Sequence, residues 1–139
     1  MIGKESRLRV VFTLGPGTPV LQTGWVLINT ALDGRGACYI AFFRPGNLLL
    51  LIPDDGDGSR STVAAVGGTD VLENSQCRVW ANQASLQSFR SPLGNQESLE
   101  VRVEMKGAFA GPKGVWTGAQ TTDGKNPGWL FDSAWHVVP

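Results

Sequence analysis

Hydrophobic and polar residues alternate along most of this chain with a period of two, the spacing of a strand with one face buried and one wet. Leu8, Val10, Phe12 and Leu14 alternate with Arg9, Val11 and Thr13. Leu99, Val101, Val103 and Met105 alternate with Glu100, Arg102, Glu104 and Lys106, the cleanest amphipathic strand in the chain. Further strands are expected over Trp25–Thr30, Cys38–Phe43, Thr62–Val66, Cys77–Asn82, Val115–Thr121 and Trp129–Val138. Leu48–Ile52 is apolar at every position, so it is expected to be a central strand covered on both faces. Turn sequences separate these runs: Gly15-Pro16-Gly17-Thr18-Pro19, Asp33-Gly34, Arg44-Pro45-Gly46-Asn47 and Gly67-Gly68. No helical period exceeds two turns. Eight or nine short strands without helices specify an all-β sandwich or barrel.

The length of 139 residues corresponds to one domain, 1–139, large enough for a proper core. The 12 basic and 12 acidic residues cancel, which argues against a nucleic-acid or anionic-membrane partner. No apolar run is long enough to cross a membrane as a helix. Met1–Val10 lacks the apolar stretch of a signal peptide. The ending Trp135-His136-Val137-Val138-Pro139 has the look of a strand running into a linker. The segment is therefore expected to be one module of a larger secreted or cell-surface protein, with neighbouring domains among its partners.

Cys38 and Cys77 are the only cysteines, and both fall on strand-like segments. They are read as one disulfide formed in an oxidising compartment; the alternative is two separate buried thiols. A bridge closing about 40 residues would stabilise the fold by roughly 3–4 kcal/mol. A metal or catalytic role is disfavoured, since there is no further cysteine and only one histidine.

Several landmarks together carry a resemblance: Val26-Leu27-Ile28-Asn29, Ala37-Cys38-Tyr39-Ile40-Ala41, Arg44-Pro45-Gly46-Asn47, the run Leu49 to Gly56, Asn74-Ser75-Gln76-Cys77, Ala108-Phe109-Ala110-Gly111 and Gly128-Trp129. From about Leu8 to Val138 the chain resembles a β-sandwich module that recurs, often in tandem, in large secreted proteins of Acidobacteria and related soil bacteria. The resemblance implies an immunoglobulin-like antiparallel sandwich and an extracellular setting. It implies no active site. Arg78–Arg102 departs from its Ser/Thr/Gly-rich pattern, carrying Trp80, Phe89 and Arg90 instead.

Three features bear on chemistry. Pro53-Asp54-Asp55-Gly56-Asp57-Gly58-Ser59 sets three carboxylates among glycines. Asp54, Asp55 and Asp57 could wrap a calcium ion, although the spacing is not that of an EF-hand and a solvated turn has the same composition. No cofactor is otherwise required. Among five tryptophans, Trp80 falls out of phase with inward Cys77, Val79 and Ala81, on the face of Arg78 and Asn82. Trp116 shares its face with Gly118 and Gln120. Exposed Trp80 and Trp116 beside Arg78, Asn82 and Gln120 would suit a polysaccharide, with sugar faces stacking on the rings and amides meeting hydroxyls. The bland alternative is that a loop over Gln87–Gln96 covers them. Catalytic patterns are poor. His136 and Asp132 are too far apart along a strand to form a dyad. Nothing in the sequence selects a carboxylate pair from Asp54, Asp57, Glu97 and Asp132. The expectation is a non-catalytic binding module, with a structural spacer or protein-interaction repeat as the alternative and a small hydrolase a distant third.

Overall fold

The computed structural model describes residues 5–14, 21–91, 94–122, 124, 126 and 128–137. The expected turn Gly15–Pro19 and the side chains of Leu14, Phe89, Arg90, Asp132, Trp135 and His136 lie outside the described residues. Among the described residues ten strands follow one another: β1 (Glu5–Leu14), β2 (Leu21–Asn29), β3 (Cys38–Phe43), β4 (Leu48–Leu51), β5 (Thr62–Ala65), β6 (Val71–Glu73), β7 (Cys77–Ser91), β8 (Gly94–Met105), β9 (Gly111–Thr121) and β10 (Leu130–Val137). Three 3-10 turns interrupt them, and the described residues contain no α-helix. The strand beyond the expected nine is β6, whose three residues are too few to show alternation.

The strands form two antiparallel sheets, ordered β1-β8-β7-β6 and β10-β9-β2-β3-β4-β5. Within them, β1-β8-β7 and β10-β9-β2-β3-β4 reproduce the Greek-key order of a variable-type immunoglobulin sandwich. β6 and β5 extend the two sheets at their edges. The chain crosses between sheets after β1, β5 and β8, so each sheet's inner face is covered by the other.

Alternation places the core as expected. Leu8 and Val10 of β1, Val26 and Ile28 of β2 and Leu99, Val101, Val103 and Met105 of β8 are buried in one cluster. Phe12 and Phe42 meet across the sandwich with ring centroids 5.6 Å apart.

Cys38 at the start of β3 and Cys77 at the start of β7 form a disulfide, with Cα atoms 5.7 Å apart. It joins the two sheets between β3 and β7. In antibody domains the inter-sheet bridge joins the counterparts of β1 and β9. At the other end of β3, Arg44 reaches across to Glu97 of β8, with Nε 3.4 Å from Oε2. The Glu97 side chain is only 5% exposed. Arg44 also donates to Ser88 Oγ at 2.9 Å and to Asn47 Oδ1 at 2.7 Å. β3 is thus clipped to the opposite sheet covalently at one end and ionically at the other.

A long bulge divides β7. Trp80 lies opposite Arg102 and Ser85 opposite Glu100, so β7 advances five residues while β8 advances two. Beyond it, Gln87–Ser91 and Gly94–Gln96 are strand rather than a covering loop. They belong to the far half of the β7–β8 hairpin, in register from Ser85 to Gly94.

Candidate functional site

The expected site divides between the two outer faces of the sandwich. Trp80 is half-buried on the outer face of the four-stranded sheet, as alternation requires, with Arg78 on the same face. Trp116 is half-buried on the outer face of the six-stranded sheet. The two tryptophans therefore lie on opposite sides of the molecule and cannot share one ligand. Sequence alternation gives the face of each strand, but not which sheet the strand joins.

The polar partners expected around Trp80 are otherwise engaged. The Arg102 guanidinium stacks 4.3 Å from the centre of the Trp80 ring, a cation–π contact that occupies a ring face a sugar would use. Arg78 bridges Glu73 and Glu104, each at 2.5 Å. Arg78, and after it Lys106, holds the Glu73 carboxyl below the usual carboxylate range. Asn82 is exposed, in phase with Trp80, at the last position before the bulge slips the alternation. Gln120 lies on the face of Trp116 and its amide meets that of Gln22 at 3.5 Å.

The acidic loop uses its carboxylates internally. Asp54 accepts from the Ser75 backbone N–H at 3.0 Å and from the Ser75 hydroxyl, tying the loop to the start of β7. Asp57 accepts from the Ser59 N–H and Oγ, capping the Gly58–Arg60 turn. The Ser59 hydroxyl and N–H hold the Asp57 carboxyl below its ordinary range. Arg60 pairs with both Asp55 and Asp57. Among the described residues no three acidic, histidine or cysteine side chains converge on one point. A calcium ion would have to displace Arg60 from the loop.

Of the carboxylates considered for hydrolysis, Asp54 and Asp57 share the acidic loop, and Glu97 lies far from it. The Asp54 carbonyl accepts from Gly36 N–H at 2.8 Å, beside the Cys38 end of β3, whereas Glu97 is ion-paired at the Arg44 end. The six residues of β3 separate them by about 20 Å.

The outward rows of the six-stranded sheet form a different surface. One row runs Gln120, Thr23, Phe43, Leu48 and Ala65; the next runs Gly118, Trp25, Ala41, Leu50 and Val63. Trp116, Leu27 and Tyr39 make a third row, and the flanking rings leave Leu27 only 2% exposed. None of these positions carries a charge. The other outer face, by contrast, carries Arg9, Arg78, Arg102, Glu73, Glu100 and Glu104.

Gly128, in a left-handed conformation at φ 89° that glycine adopts without steric cost, delivers Trp129 onto this face. Trp129 packs above Gly118, where an added Cβ would come 3.4 Å from its ring. Its ring centre lies 6.5 Å from that of Trp25 and 5.7 Å from that of Tyr39, at interplanar angles of 58° and 66°. Trp25, Tyr39, Gly118, Asn126, Gly128 and Trp129 line a cleft of about 230 Å³. Burial raises the Tyr39 pKa above its ordinary value, so its hydroxyl stays neutral and can both donate and accept. A second, more apolar groove runs from Trp25 and Tyr39 over Phe43, Leu48 and Leu50 to Val63. Leu48 and Leu50 are therefore half-buried groove residues, not the covered outer face of a central strand.

Sequence reading missed this surface, although its signal was there. β2, β3 and β4 are apolar on both faces, and a two-layer sandwich can bury only one. Comparison of the chain with protein-family models, with curated proteins and with solved structures finds no match.

Proposed function

We propose that this chain is a non-catalytic extracellular binding module whose working surface is the outer face of the six-stranded sheet, with a glycan as ligand in the Trp25–Tyr39–Trp129 cleft. The observation that carries this reading is the convergence of three aromatic side chains, with Asn126, around the glycine floor at Gly118. Rings offer stacking to the apolar face of a sugar, and the Tyr39 hydroxyl and Asn126 amide supply polar partners for its hydroxyls. The inter-sheet disulfide is compatible with an extracellular protein, and the resemblance to secreted bacterial modules favours the same setting.

Affinity electrophoresis against a panel of soluble plant and microbial glycans tests the proposal. Wild type is expected to be retarded by at least one glycan, and Trp129→Ala to migrate freely while keeping a folded β spectrum. Trp80→Ala, on the opposite face, is expected to bind as wild type does. Absence of retardation on every glycan overturns the glycan reading.

The second reading is a spacer or protein-contact module, and a specific observation favours it. Phe43, Leu48, Leu50 and Val63 continue the apolar face well beyond the cleft, and aliphatic side chains offer sugar hydroxyls nothing.

A further inference from the structure

We infer that the outer face of the six-stranded sheet is a self-association surface, and that its occupant is a second copy of this chain. The inference develops the reading of that face as a protein-contact surface and does not depend on glycan binding.

Apolar surface left in water costs roughly 25 cal/mol per Å², and a contiguous patch of this kind on a soluble domain marks a contact site. Here the patch spans five hydrogen-bonded strands, and Val63 near its edge is 50% exposed. Charge distribution selects the partner. A two-fold dimer sets a surface against itself, so every charge near the axis meets its own like charge. The outward positions of β2, β3, β4, β5 and β9 carry no charge at all and incur no such penalty. The outer face of the other sheet would bring Arg78, Arg102 and Glu104 near their own copies. An acidic or basic partner would find no counter-charge on the uncharged face and would leave its own charges desolvated.

Area sets the expected strength. The thirteen outward residues of these rows, on strands about 4.8 Å apart and about 6.6 Å apart along each strand, present roughly 400 Å². Two copies would bury roughly 800 Å², the size of a weak, transient contact. The dimer is therefore expected to be concentration-dependent, with a Kd on the order of 100 µM. It would cover the Trp25–Tyr39 cleft, so a bound glycan would compete with it.

Sedimentation velocity of the 139-residue chain, without sugar, from about 1 to about 500 µM tests the inference. The expected result is a rise from the monomer mass of 14.9 kDa toward twice that value. Leu50→Arg places a charge in the middle of the patch on both copies. It should weaken association roughly a hundredfold or more, leaving a monomer throughout. Should Leu50→Arg misfold by circular dichroism, Val63→Arg at the exposed edge serves instead. Val11→Arg, exposed on the opposite outer face, should associate as wild type does. A wild-type monomer at every concentration overturns the inference, and so does a dimer that Val11→Arg dissolves while the face variants leave it intact. Glycan retardation by a strictly monomeric protein would refute self-association while leaving the glycan reading standing.

Discussion

Reducing the Cys38–Cys77 bond should cost this protein a large part of its stability. The bond closes a stretch with a sequence separation of 39, and in the chain-entropy account such a loop contributes about 4 kcal/mol at 25 °C by restricting the unfolded chain. For a domain of 139 residues the unfolding entropy is about 0.3 kcal/mol/K, so that loss lowers Tm by about 13 °C. Both cysteines are 0% exposed. A reductant therefore cannot reach the sulfurs until the sandwich opens, and reduction of the native protein should proceed at the rate of unfolding. The assay is urea denaturation followed by tryptophan fluorescence, on oxidised protein and on protein reduced while unfolded. Thiol titration runs in parallel. Oxidised, denatured protein should show no free thiol, and the reduced form should lose about 4 kcal/mol. A loss under about 1 kcal/mol would refute the loop-closure reasoning. Two titratable thiols in the unreduced protein would remove the bond itself, and with it the support for an extracellular setting.

Other outcomes follow from the packing. Gly24→Ala should destabilise by about 1–3 kcal/mol in urea denaturation, because its Cβ would come 2.5 Å from Phe42 Cζ and 3.1 Å from Phe12 Cε2; a neutral result would mean that both rings can move aside. Glu97→Ala should cost about 2–3 kcal/mol, below the full penalty for breaking a buried pair because Arg44 keeps some water contact; Arg44→Met in the same background should recover part of the loss. Millimolar calcium is expected to leave Tm within about 1 °C, since Arg60 already neutralises Asp55 and Asp57; a rise that Asp55→Ala abolishes would instead establish a metal site. Asp57 has a depressed folded pKa, so its contribution is present above the ordinary carboxylate range and lost as pH falls through the lower folded value. Asp57→Asn should flatten the acid limb of the melting curve slightly.

Much of the fold was legible because a strand's period is local. Leu99–Met105 and Leu8–Phe12 declare their inner faces in a few residues, and Cys77, Val79 and Ala81 pointed Trp80 outward. The phase slip of β7 after Asn82 escaped, because its bulge inserts residues and nothing local announces it. β6 escaped because three residues hold no period. The site was harder still. Trp80 and Trp116 each read as an outward tryptophan, and only strand pairing between distant segments puts them in different sheets.

The sequence by itself determined the class of the protein: an all-β domain with one cysteine pair, balanced charge and strands whose inner residues are set by alternation. These follow from composition and from contacts between near neighbours in the chain. The tertiary structure decided everything that depends on which strands lie side by side. It joined β9 to β2 and so brought Trp25 beside Gly118, where Trp129 comes to rest. It set Asp54 and Glu97 at opposite ends of β3. It gathered the second apolar faces of β2, β3 and β4 into one uncharged surface, because two layers can cover only two of four sheet faces.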